Sequence, residues 1–114
     1  MAYGTAVNFE ALRSVAFAGI GAGYTAVGTA TTDHTRLFSV FNTTDVDVII
    51  SLDGSTDHIR VASGTGQIFD LTANKVRDDG LFIRQGTIFY IKRAAGAASS
   101  GNVWIEVMAA QGGV

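Results

Sequence analysis

Short apolar runs, some alternating with polar residues and some continuous, recur along the whole chain and are separated by Gly, Asn, Asp, Ser and Thr. An alternation of two places successive side chains on opposite faces of a strand, so these runs predict strands. NVWIEVM, residues 102 to 108, is an instance: Val103, Ile105 and Val107 make one aliphatic face, and Asn102, Trp104, Glu106 and Met108 make the other. The turn-forming residues recur at roughly eight- to twelve-residue intervals, the spacing of a β-sandwich, a jelly roll or a small barrel. The fold expected is all-β: a single, jelly-roll-like β-sandwich of about eight strands with an N-terminal arm.

The strands can be placed in order. Ser14 to Ala18 is one, and Tyr24 to Thr32 the next, with Gly19, Gly21 and Gly23 forming a bend between them. Arg36 to Asn42 and Val46 to Leu52 follow, joined at Thr43-Thr44-Asp45, with Val46, Val48, Ile50 and Leu52 on one core-facing side. Asp53-Gly54 is a hairpin signal because glycine supplies positive φ, and His58 to Ala62 is the returning strand. Gln67 to Leu71, Leu81 to Gln85 after the turn Asp78-Asp79-Gly80, Thr87 to Lys92 and Asn102 to Met108 complete the set. Residues 94–101, AAGAASSG, read as a flexible linker. The first twelve residues fit either a short helix capped by Asn8 or a strand through Val7, Phe9 and Ala11. The domain expected is thus 14–110, with an arm or edge element at 1–13 and a tail at 111–114.

At 114 residues the chain suits one domain with one core. Hydrophobic residues make up 47% and charged residues 16%, a low charge for a small domain, which implies that other subunits cover part of the surface. A net charge of −2 offers no basic footprint for phosphate, so nucleic acid is not an expected partner. The absence of cysteine excludes disulfides, thiolate metal sites and a cysteine nucleophile. With no span-length apolar run and no secretory leader pattern, a soluble chain that keeps its N-terminus is expected.

Chemistry-bearing patterns are weak. His34 and His58 stand far apart and in no metal-ligand spacing. Asp45/Asp47, Asp53/Asp57 and Asp78/Asp79 lie in or beside turns, where aspartate bonds nearby amides, and this explains them without calcium or acid–base chemistry. GIGAG at residues 19–23 lacks the helix that a dinucleotide loop precedes, and Ser14, Ser39 and Ser51 have no nucleophile elbow. No enzyme activity, cofactor, metal or small-molecule substrate is expected. Alternation sets Phe38 against Phe41 and Phe89 against Tyr90, so each pair sends one ring inward and the other outward as a contact candidate.

The stretch FNTTDVDVIISLDGSTDHIRVASGTGQIFDL, followed by GTIFYIK and SSGNVWIEVM, resembles small all-β virion structural proteins of tailed bacteriophages over roughly residues 41–108. The resemblance implies a capsid cement or decoration protein on the virion surface, assembled in the host cytoplasm and bound to the major capsid protein and to copies of itself as a homo-oligomer. It brings no catalytic residues and no membrane. A neck, adaptor or tail role is the alternative within that class, and a carbohydrate-binding sandwich with stacking Tyr24, Tyr90 or Trp104 is the alternative outside it. Candidate contact residues are Tyr3, Phe9, Leu12, Tyr24, Tyr90 and Trp104. Candidate contact segments are 2–12, 19–23 and 94–101.

Overall fold

The computed structural model describes residues 7–71 and 83–110. Tyr3, the tail at 111–114 and the turn at 78–80 lie outside the described residues. Among the described residues nine strands follow one another: β1 (Val7–Phe9), β2 (Arg13–Ala16), β3 (Thr25–Val27), β4 (His34–Asn42), β5 (Val48–Ser51), β6 (Ile59–Val61), β7 (Thr65–Asp70), β8 (Phe89–Arg93) and β9 (Asn102–Ala110). A 3₁₀ turn at Phe17–Gly19 follows β2.

Two antiparallel sheets form. In the first, β9 is flanked on one side along its length by β4, which in turn pairs β7. On its other side β9 takes β1 near its end and β2 near its start. Phe9 faces Met108 and Arg13 faces Ile105, so residues 10–12 stand opposite 106–107 and β1 and β2 are one edge strand broken by a bulge. The second sheet has the order β3-β8-β5-β6.

Counting the broken edge once leaves eight strands. The first pairs the last, β3 pairs β8, β4 pairs β7 and β5 pairs β6, every pair antiparallel. Such nesting is one long hairpin rolled upon itself, the topology of a jelly roll.

β-branched and aromatic residues drive the closure, because on alternate positions they fill the space between pleated sheets. Phe38, Val40, Val103, Ile105 and Val107 from the first sheet meet Val27, Val48, Ile50, Val61, Phe89 and Ile91 from the second, all buried. Phe38 stacks on Phe69 at 4.8 Å and lies 5.2 Å from Phe89, which ties three strands and both sheets together.

Several expectations are corrected. The strand placed at Tyr24 to Thr32 stops at Val27, because beyond Gly28 the Thr29 carbonyl accepts from the Arg13 guanidinium and the chain crosses to the first sheet. Thr43-Thr44-Asp45 also crosses between sheets, with Asn42 and Thr44 hydrogen-bonded within the turn. The hairpin at Asp53-Gly54 is wide, running from Leu52 to His58, although Gly54 has φ +81°. Of Leu81 to Gln85, the described part is a single bridge from Ile83 to Thr35 followed by a turn. The stretch 94–101 is held at several points: Ala94 N–H donates to Asp47 O, Ser99 N–H to the Asp45 carboxylate, and Phe17 N–H to Gly101 O. Asn8 lies within β1, so the helical option for the first residues is not taken up.

Candidate docking surface

Rows across the first sheet give its outer face. Phe9, Met108, Leu37 and Asp70 are cross-strand partners in one row; Glu106, Ser39 and Ile68 in the next; Ser14, Trp104, Phe41 and Gly66 in the third. Leu12, projecting from the bulge, lines a shallow groove with Phe9, Glu10, Glu106 and Val107 and so extends the middle row. Direct partners share a face, and these alternate with the buried Phe38, Val40, Ile105 and Val107.

This face is apolar where a solvated sheet is ordinarily polar. Among the described residues the large hydrophobic side chains left exposed are Phe9 (69%), Leu12 (55%), Phe41 (43%) and Ile68 (66%), and all four are on it. Leu37, Trp104 and Met108, half-buried, fill the space between them. Phe41 lies flat over Gly66, where a Cβ would collide with the ring, so the glycine lets an aromatic from the central strand spread to the edge. Polar residues interrupt the apolar field at its centre, where Ser39 Oγ donates to Glu106 Oε1 at 3.0 Å, and at its edges, where Ser14 and Asp70 stand.

The bulge that presents Leu12 is pinned from beneath. Arg13, 6% exposed, turns inward and donates to Glu10 Oε1 at 2.8 Å and to Thr29 O. Glu10 Oε2 accepts the N–H groups of Thr32 and Asp33. Burial opposes ionisation of Glu10, but the Arg13 guanidinium and these two amides together bring its pKa below the usual carboxylate value. The charged form therefore links the edge strand to the crossover between sheets, which fixes the shape of this outer face.

The outer face of the second sheet differs. Lys92, Ile49 and Arg60 form one row, and Ala26, Tyr90 and Ser51 another. Its cations already have partners: Lys92 with Asp57 at 3.0 Å and Arg60 with Asp47 at 2.8 Å. The Tyr24 hydroxyl donates to Asp57, and the Lys92 ammonium sits 4.8 Å from the centre of the Tyr24 ring. Desolvation, and then the Asp57 carboxylate, push the Tyr24 phenol up to about 12. Tyr90 packs against Gly54.

The histidines are engaged in turns. His34 Nδ1 accepts the Gln85 N–H and His58 Nδ1 accepts the Leu52 N–H. Asp53 accepts N–H bonds from Ser55 and Thr56 and a hydroxyl bond from Ser51, which hold it far below the ordinary carboxylate range. Among the described residues no three His, Asp or Glu side chains gather in a way that could hold a metal ion.

Of the contact residues expected from sequence, Phe9, Leu12 and Trp104 are thus brought together on one face. Tyr24 and Tyr90 belong to the opposite side of the sandwich, and Tyr3 lies outside the described residues. Leu37, Ile68 and Met108 complete the face and were not singled out. Their signal was available in the alternation of RLFSVFN, TGQIFD and NVWIEVM, but it becomes a surface only once β4, β7 and β9 are known to be neighbours. No protein-family model, curated protein or solved structure matches the chain significantly.

Proposed function

We propose that this protein is a non-catalytic structural subunit that attaches to a larger assembly through the outer face of the β9 sheet. The observation that carries the reading is the convergence of Phe9, Leu12, Phe41 and Ile68 on that face. Exposed apolar patches with a polar surround mark contact sites, because covering them removes a hydration cost that the monomer otherwise bears. The strands stand about 4.8 Å apart and the three rows span about 13 Å, so the face measures roughly 15 by 13 Å between backbone positions. A standard interface takes about 800 Å² from each partner, so one such face alone holds weakly and many copies on a lattice hold through avidity.

In its finer form the proposal is a cement or decoration protein of a tailed-phage capsid, bound to the major capsid protein and lying on the virion surface. The jelly-roll topology favours it, since this fold serves repeatedly as a rigid capsid module, although the same fold also carries lectins. Removal of the protein is expected to make virions release DNA at lower temperature, measured as dye-accessible DNA during a heat ramp. Unchanged heat resistance counts against the capsid role. A neck, adaptor or tail position uses the same surface; imaging of labelled protein at a single vertex rather than over the whole shell selects it. The carbohydrate-binding alternative is less favoured, because Trp104 is on the opposite side from Tyr24 and Tyr90, and Lys92 already sits over the Tyr24 ring. Ring-dependent binding on a glycan array selects it instead.

A further inference from the structure

The docking face has a polar centre. Glu106 and Ser39 are neighbours on β9 and β4, with Leu12 on one side, Ile68 on the other, Met108 and Leu37 in the row on one side, and Trp104 and Phe41 in the row on the other. Ser39 satisfies one carboxylate oxygen, and among the described residues no cation pairs with Glu106. Arg36, in the β4 bulge next to Leu37, donates instead to Leu71 O.

A partner that covers the apolar ring necessarily takes Glu106 out of water. An unpaired carboxylate enclosed in this way is strongly disfavoured, whereas one that meets a cation with good geometry recovers most of the lost hydration. A second copy docked face to face about this centre sets Glu106 against Glu106 and is repelled. The charge thus discourages self-stacking of the sheet and selects a partner with the opposite sign.

We propose that this face receives an extended segment of a larger partner protein that places a lysine or arginine over Glu106, with an aliphatic side chain on either side of it. This deepens the attachment reading above and rests on it. The spacing follows from the strand: Trp104, Glu106 and Met108 are two residues apart, about 6.7 Å between neighbours, which is the spacing of alternate side chains on an extended segment. The recognition pattern is therefore aliphatic-x-cation-x-aliphatic.

The test is an NMR titration of the full chain with two extended peptides, acetyl-Leu-Ser-Lys-Ser-Leu-amide and acetyl-Leu-Ser-Glu-Ser-Leu-amide. The lysine peptide is expected to shift the Trp104 indole, the Met108 methyl and the Ile68 methyls, and to bind about tenfold more tightly than the glutamate peptide. Glu106→Gln should shrink that preference to less than about threefold, and Glu106→Lys should reverse it, with thermal melts confirming that both variants fold. Equal affinity for the two peptides, or a preference unmoved by Glu106→Lys, overturns the proposed partner chemistry. Shifts on the face without charge preference leave the attachment reading standing, while shifts that map to the opposite sheet, or none at all, count against both.

Discussion

The outer face of the β8 sheet carries Lys92, Arg60 and Tyr90, while the outer face of the β9 sheet carries Phe41, Ile68, Trp104 and Met108. The same alternation of strand side chains builds both. On the first, the charges are neutralised by partners from the chain's own loops, Asp57 for Lys92 and Asp47 for Arg60. On the second, among the described residues the side-chain partner of the central carboxylate is the Ser39 hydroxyl, with exposed rings and aliphatic chains beside it and Asp70 at the edge. A face whose charges are matched by its own loops can stay in water, whereas an apolar face around a carboxylate is the kind of surface on which the proposed attachment rests.

The largest expected effect separates inside from outside on a single strand. Phe38 is 3% exposed between Phe69 and Phe89, and Phe38→Ala should cost about 3–5 kcal/mol of folding stability. Phe41→Ala, on the opposite side of β4, should cost less than about 1 kcal/mol, because the residue is 43% exposed. Denaturant unfolding measures both, and equal losses would mean that Phe41 is core and that the face is not a free surface.

The next effect separates the two faces. The double variant Phe41→Ser with Ile68→Ser should weaken attachment to purified particles about tenfold or more, since each removes a large apolar side chain from the contact. A matched change on the other side, Tyr90→Ser with Lys92→Ser, should leave attachment within about twofold. Co-sedimentation of variant protein with particles lacking the wild-type subunit reads both, and the reverse ranking would move the interface to the β8 sheet.

The smallest effect is electrostatic and belongs to the β8 side. Hydrogen bonds from the Ser55 and Thr56 amides depress Asp53, the Tyr24 hydroxyl and the Lys92 ammonium depress Asp57, and the Arg60 guanidinium and Ser63 amide depress Asp47. Each carboxylate is easier to protonate in the unfolded chain, so its contribution is complete above about pH 4 and is lost as pH falls through the lowered folded values. Acidification should therefore move the amide resonances of Ser55, Thr56 and Ser63 while those of Val103 and Ile105 stay in place until global unfolding. Simultaneous movement of both groups would contradict a local effect.

Much of this comparison was legible in sequence. NVWIEVM divides into the two faces that β9 presents, and Phe38/Phe41 and Phe89/Tyr90 point as alternation requires, because a period of two is a local property of the chain. The sandwich class was legible for the same reason. Which outer face gathers the apolar residues was not, since that depends on β4 lying between β7 and β9, whose pairings join residues as distant as Leu37 and Met108. Tyr24, Tyr90 and Trp104 stand alike in sequence as candidate contact aromatics, yet the fold distributes them to opposite sides. The short β3 and the tethered stretch 94–101 were missed because their ends are fixed by remote partners, Arg13 on Thr29 and Asp45 on Ser99, which no local pattern records.

The chain contains a single tryptophan, and Trp104 stands on the proposed contact face between Ser14 and Phe41. Acrylamide quenching of Trp104 fluorescence, with the protein free and then bound to tryptophan-dark particles grown with a non-fluorescent tryptophan analogue, tests the central claim directly. Attachment through the β9 sheet predicts that quenching falls several-fold on binding, because the partner shields the indole from the quencher. Quenching that is unchanged on particles that have demonstrably taken up the protein would contradict the account.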